Sequence, residues 1–331
     1  MLSPEDHAAL SAWRLGPVLG ANLPATGTVN RTLLVQTGSG AYALRAYRRP
    51  DRARTEWEHT AISFAAARGV PVCRPLPLPG GATVWEGDGR LFALFPSATG
   101  QQVRRADLQP SEVAAAGRCL ARVHLAFADF SIAQARAKAF TFDTAATLES
   151  LTRVEAAIKG RVVQTDADRD ALRHLAGRER WLQQAAELDE PTRSRFAALP
   201  CQVVHGDFQE TNLFFAGAEV SAVIDWDQCG VAPRAWEVLR ALHLMLGLAP
   251  GPCRVFLAAY RGLRPLPETE LQEAAACYGT LADQNLWVYE AVYLEGNDRV
   301  RPFLTPGGFT PFAARWRALA RHLGSAVAVV Q

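Results

Sequence analysis

The stretch VVHGDFQETNLFF, residues 203–215, sets a histidine, an aspartate and an asparagine between two runs of strand-forming apolar residues. Asp207 precedes Asn212 by five positions, and thirteen residues beyond Asn212 the segment IDWD supplies Asp225 and Asp227. These are hard oxygen donors, with no thiolate or multi-histidine set beside them. Such a set suits magnesium, which takes about two protein ligands and completes its octahedron with water and phosphate. The residues between Asn212 and Asp225 are long enough for a hairpin, which would return both to one edge. Asp207 is not needed as a ligand and is free to serve as a base. A hydroxyl attacking a phosphoryl group needs orientation and a proton acceptor, and one carboxylate supplies both. Asp227 fits two roles equally, a second magnesium ligand or an acceptor that holds its own loop. A lone histidine before a buried loop, as at His205, reads as hydrogen-bonded to backbone.

The elements that must position these groups follow from local pattern. Ser3-Pro4-Glu5-Asp6 has the form of a helix start, with a capping hydroxyl and acid at the positive end. RTLLVQT (31–37) and YALRAY (42–47) flank a glycine pair and predict a hairpin. Alternation along the second strand puts Tyr42, Leu44 and Ala46 on one face and Ala43, Arg45 and Tyr47 on the other. Residues 51–68 carry Trp57, Ala61, Phe64 and Ala65 at helical spacing, closed by Gly69 and Pro71. A second hairpin is expected from TVWE (83–86) and RLFALF (90–95). After Pro96 the chain turns helical to about Glu190, and again from about Arg234, with strand signals only at LFF (213–215) and VSAVI (220–224). The class is α+β, sheet-rich first and mainly helical afterwards. No GxxxxGK[ST] or GxGxxG motif is present. GANLPATGTVNR (20–31) offers only Gly20 and Gly27, so a phosphate cradle there must use backbone amides around Thr26 to Asn30.

HGDFQETN followed by IDWD resembles the aminoglycoside phosphotransferase and choline kinase superfamily, which includes type II homoserine kinases. The resemblance implies a protein kinase-like two-lobed fold, with an N-lobe over 1–96 and a C-lobe over 97–331. It implies Asp207 as catalytic base, Asn212 and Asp225 as magnesium ligands with Asp227 beside them, and His205 with Gly206 shaping the catalytic loop. YALRAY looks like the strand that carries the phosphate-binding cation, here Arg45, where many kinases have lysine. TEWEH resembles the helix segment carrying its acidic partner, Glu58, with Glu56 as the substitute. LFALFPSATG (91–100) looks like the strand and hinge that receive adenine, with Phe95 against the nucleotide and Thr28 and Asn30 on the phosphate side. GVAPRAWEVLRAL (230–242) resembles the turn and helix that follow the DWD motif. ATP and Mg2+ are the implied cofactors, and a small-molecule hydroxyl is the implied acceptor.

Composition narrows the rivals. Thirty-five Lys and Arg against 33 Asp and Glu leave a net charge of +2, without the basic excess that binding nucleic acid requires. The six cysteines form no CxxC pair and read as reduced, mostly buried thiols. The N-terminal residues carry acid where a secretory signal carries base, and no apolar run reaches the length of a membrane span, so a cytoplasmic protein with no membrane partner is expected. His124, on an apolar helix face with Leu120 and Phe127, reads as a core histidine. Trp226, Trp236 and Trp287 read as core or cleft-wall aromatics. Homoserine kinase-like chemistry leads. Aminoglycosides are polycations that favour an acidic cleft, of which the balanced charge gives no sign, and protein serine or threonine is a further acceptor class. From other classes, the same acids would suit a metal-dependent hydrolase or a nucleotide-binding regulator without turnover.

Overall fold

The computed structural model describes residues 2–23, 30–48, 50–131, 135–185, 187 and 189–324. Its first helix, α1 (Pro4–Ala12), begins with a full capping box. The Ser3 hydroxyl accepts from the Asp6 amide, and the Asp6 carboxylate accepts from the Ser3 amide at 2.8 Å. Five antiparallel strands follow in the order β1-β2-β3-β5-β4: β1 (Val18–Asn22), β2 (Arg31–Thr37), β3 (Gly40–Ala46), β4 (Trp85–Gly87) and β5 (Arg90–Pro96). The turn between β4 and β5 is Asp88-Gly89, both at positive φ (52° and 72°), as a two-residue turn matched to strand twist requires. The β2–β3 register opposes Leu33 to Leu44, and β3–β5 opposes Leu44 to Leu94. These residues, with Val35, Ala46 and Phe92, form one buried face packed on Ala9, Leu10 and Trp13 of and after α1. Burying a side chain such as Leu44 or Phe92 contributes roughly 1.5–3 kcal/mol, so this face fixes the register. The expected alternation then leaves Arg45 on the opposite face, toward α2 (Arg52–Ala66).

The chain divides into two compact units. The first comprises 1–138, 201–246 and 251–265. Besides the five-stranded sheet it holds α3 (Pro110–Ala126), the hairpin β7 (Leu213–Ala216) and β8 (Glu219–Val223), and a second ribbon that pairs β6 (Cys201–Val204) with β9 (Gly230–Pro233). It also holds α7 (Arg234–Arg240), continued as a wider π-turn over Ala241–Met245, and most of α8 (Pro250–Arg261). The segment after β5 is stitched to β7 by reciprocal amide bonds between Gln101 and Phe215, at 2.9 and 2.8 Å. The second unit, 139–200, 247–250 and 266–331, is helical: α4 (Thr144–Lys159), α5 (Asp166–Ala185), α6 (Asp189–Ala197), α9 (Glu268–Gln284), α10 (Trp287–Tyr293) and α11 (Phe312–Gly324). Leu151, Val154, Ile158, Ala171, Leu175, Leu286 and Tyr289 form a core there.

Two strands, β1 and β9, lack a forecast, and β6 is signalled only by its Val203-Val204 pair. β1 is nearly all exposed, and β6 and β9 are four residues each, too short for a periodic signature. Trp226 and Trp236 are buried in the core, whereas Trp287, at the first position of α10, is 47% exposed and is not a core aromatic. All six cysteines are free thiols, four of them buried. Among the described residues no helix is long and apolar enough to cross a membrane.

Candidate active site

The loop after β6 is shaped from two directions. Gly206 has φ +85°, and a Cβ there would lie 2.1 Å from the Gln228 carbonyl oxygen, so only glycine fits. From outside the loop, the fully buried Glu237 of α7 accepts from the amides of His205 (3.2 Å) and Gly206. Glu237 also accepts from Nε2 of His124 at 2.8 Å, while His124 Nδ1 accepts from the Tyr260 hydroxyl at 2.7 Å. Burial works to raise the Glu237 pKa, but the His124 bond and the loop amides hold it below the usual value; burial holds His124 neutral. A buried carboxylate with a full set of donors is therefore the anchor of the loop. His205 completes it, with Nε2–H donating to the Ile224 carbonyl at 2.9 Å and Nδ1 accepting from the Asp207 amide at 3.2 Å.

Asp207 is half-buried at the end of this loop. Its Oδ2 accepts from Asn212 (3.0 Å) and Gln209 (3.2 Å), and its Oδ1 accepts from the Arg240 guanidinium. Asn212 also donates to the Asp207 carbonyl at 2.9 Å. The β7–β8 hairpin brings Asn212 and Asp225 to one edge: Leu213 pairs with Val223, and the Ile224 amide donates to the Asn212 carbonyl at 3.0 Å. Asp225 then adopts a left-handed backbone, φ 62° and ψ 64°, uncommon for a residue with a Cβ and found where surrounding structure imposes it.

Arg45 joins the acids of both segments. It is 8% exposed, donates to Glu58 at 3.2 Å and to Asp225 at 2.6 Å, and lies 3.8 Å from Asp227. Burial works to lower its pKa, but Glu58 and the aspartates raise it, so the guanidinium stays charged. Burial raises the Glu58 carboxyl to about 7 against the opposing pull of Arg45. Burial, then the neighbouring Asp225, raises Asp227 above its ordinary value. Glu56, the substitute for Glu58, is exposed and pairs with Arg52 at 3.2 Å. Asn30 reaches Asp227 at 3.5 Å and accepts from the Arg48 amide at 3.2 Å. Phe95 is buried, edge-on to His59 with centroids 5.7 Å apart. Thr28 lies outside the described residues.

Among the described residues no set of three or more His, Cys, Asp or Glu converges as a metal site. The donor set at the hairpin edge is the Asp225 and Asp227 carboxylates and the Asn212 amide. That is too few for a closed protein cage and matches an ion that keeps waters and takes phosphate oxygens.

Four neighbours were not singled out from sequence. Glu237 and Arg240 sit on α7, whose amphipathic pattern gives no sign that two polar positions face the loop. Arg54, in the arginine-rich run RAYRRPDRAR (45–54), donates to the Asp227 carbonyl at 2.8 Å. Lys138 donates to the carbonyl and the side-chain oxygen of Gln228, both at 3.2 Å.

Comparison with known proteins gives a consistent result. A family model described as "Phosphotransferase enzyme family" matches residues 21–273. A homoserine kinase of Afipia carboxidovorans is 28% identical over 267 residues, covering 79% of this chain and 76% of that one. A homoserine kinase of Xanthobacter autotrophicus is 28% identical over 273 residues, covering 80% and 78%. Among solved structures, an aminoglycoside phosphotransferase from Alicyclobacillus acidocaldarius superposes with a TM-score of 0.66 at 15% identity, over 98% of this chain and 95% of that one. The amicoumacin kinase hAmiN, in complex with AMP-PNP, Ca2+ and Ami, gives 0.65 at 15% identity over 94% and 97%. The fold is thus the kinase-like one that the sequence motif implied.

Proposed function

Because the chain belongs to the phosphotransferase enzyme family and is a kinase with a hydroxyl acceptor, we propose that it moves the γ-phosphoryl group of ATP to a small hydroxy compound, with homoserine-like acceptors leading. The observation that carries this reading is Asp207. Its carboxylate is held by Asn212, Gln209 and Arg240 on a loop anchored by Glu237, beside the edge where Asp225 and Asp227 meet Arg45. A carboxylate so fixed orients an acceptor hydroxyl and takes its proton as the oxygen attacks phosphorus.

In this reading Asn212 and Asp225 hold magnesium, with Asp227 as further ligand or loop acceptor. When bound, the ion neutralises charge on the phosphates. Arg45, kept charged and aimed by Glu58, offers a planar donor pair to phosphate oxygens. Asn30 and Thr28 belong to the phosphate side and Phe95 to the adenine side. His205 and Gly206 keep the loop in shape. The nucleotide lobe is residues 1–96 and the acceptor lobe residues 97–331, in a cytoplasmic enzyme. The two homoserine kinases, each matched over more than three quarters of its length, favour homoserine-like acceptors over aminoglycosides.

The test is a transfer assay with magnesium and γ-labelled ATP against homoserine, choline, amino sugars, aminoglycosides and a protein mixture. Label on a small hydroxy compound, abolished in Asp207→Asn, is the expected result. Label confined to protein, phosphate release without an acceptor, or unchanged turnover in that variant would overturn the reading.

A further inference from the structure

The side of Asp207 facing α7 carries more positive charge than the transfer chemistry above uses. Arg240 donates to Asp207, and its guanidinium carbon is 5.9 Å from the centroid of the Trp236 ring, one helical turn earlier. Lys138 lies on the same indole, its Nζ 5.6 Å from the centroid. It is also close to the loop itself, since a Cβ on Gly206 would come within 3.2 Å of that nitrogen.

Lys138 is held there by backbone. Its amide donates to the Val231 carbonyl of β9 at 3.1 Å, and the neighbouring Ala137 bridges to the same residue. Yet both acceptors of its ammonium are neutral oxygens of Gln228, and among the described residues no carboxylate lies within ion-pair distance of it. Burial and then Arg240 push its pKa down to about 8, against the weaker opposing pull of Glu237, Asp207 and Asp227.

Resting on the kinase reading, we propose that Lys138 and Arg240 form a subsite for a carboxylate on the acceptor, making the substrate class hydroxy acids and hydroxy amino acids. Arginine presents a fork that matches two carboxylate oxygens, and lysine adds a compact charge beside the same indole. A carboxylate there supplies the anion that the Lys138 ammonium lacks, while the acceptor hydroxyl, a few bonds away, faces Asp207. A polycationic amino sugar would instead bring like charge against two fixed cations, which selects against it.

The experiment compares homoserine with homoserine amide, and 4-hydroxybutyrate with 3-amino-1-propanol, as acceptors for the wild type, Lys138→Met and Lys138→Arg. The wild type is expected to prefer each acid by about 100-fold or more in kcat/KM, expressed mainly in KM. Lys138→Met should cut that preference by about tenfold or more, and Lys138→Arg should restore most of it, since it keeps the charge. Equal use of acid and amide overturns the proposal. So does a Lys138→Met defect in kcat that is the same for acids and non-acids, which would assign the cation to the phosphoryl group. If no acceptor is labelled, the kinase reading itself fails. The subsite is then decided by calorimetric binding of 4-hydroxybutyrate against 3-amino-1-propanol with AMP-PNP present. A preference for the acid that Lys138→Met removes upholds it, and no such preference overturns it.

Discussion

Both compact units bury charged groups, but they arrange them in opposite ways. In the helical unit the buried acids stand apart, and each is matched by donors at a helix end. Asp168 accepts from the Thr165 amide at 2.9 Å and the Tyr293 hydroxyl at 3.0 Å, with Arg161 at 3.5 Å. Burial acts to raise its pKa, but those donors hold it below the ordinary value. Asp283 accepts from the Phe312 amide at the start of α11, which offsets only part of the effect of burial, and its pKa is raised to about 6. In the other unit Asp225, Asp227 and Glu58 crowd around one arginine, and burial raises Glu58 and Asp227. Where the donors outweigh burial, as at Asp168, the first arrangement lowers the energy of the fold. The second keeps charge concentrated where a fold gains little from it, the pattern expected where groups are poised for a ligand.

The contrast breaks most sharply at Asp207. Asp207→Asn should reduce turnover by on the order of 10²–10⁴ with little change in melting temperature; a large loss of stability with modest loss of turnover would make this carboxylate structural, like Asp168. Glu237→Gln is expected to cost both quantities, about 2–4 kcal/mol of unfolding free energy read from a denaturant midpoint, together with at least tenfold in kcat, because an amide nitrogen now faces donors that need an acceptor. Asp168→Asn, in the helical unit, should lose about 1–2 kcal/mol by the same denaturation and leave kcat and KM at wild-type values.

The smallest effect sharpens the comparison through pH. Burial lowers the His59 pKa from 6.5 to about 4; Tyr47 lies 3.1 Å away and Thr83 2.6 Å. The unfolded chain binds its proton first, so stability contributed by neutral His59 is full above pH 6.5 and is lost as pH falls toward 4. His59→Gln carries no such proton. Relative to that variant, the wild type should lose about 1 kcal/mol between pH 7.5 and pH 5.5, measured as the difference of two denaturant curves at each pH.

What was legible in the chain was local or periodic. The Asp207-to-Asn212 spacing and the later IDWD lie in and around a single hairpin, so short-range chemistry revealed their convergence. The pairing of Arg45 with Glu58 came from the resemblance of YALRAY and TEWEH to family segments, strand alternation gave the face of Arg45, and the Asp88-Gly89 turn announced its strands. Glu237, Arg240 and Lys138 were not legible, because each reaches the loop from an element whose pattern is dictated by burial of other residues. A glutamate on an apolar helix looks like an exposed position until tertiary structure turns it inward, with His124 and two amides waiting. Trp287 was left between core and cleft wall for the converse reason, and its exposure excludes the core: a large ring at a helix start carries no information about which way the first turn faces.

The way the loop is supported has a practical bearing on protein engineering. Residues 203–212 would not keep their conformation if transplanted alone, because their amides are received by position 237 and their tightest turn is moulded against position 228. The smallest portable cassette runs from the start of β6 through the end of α7, both ribbons included. A recipient scaffold would also have to offer an imidazole where His124 stands.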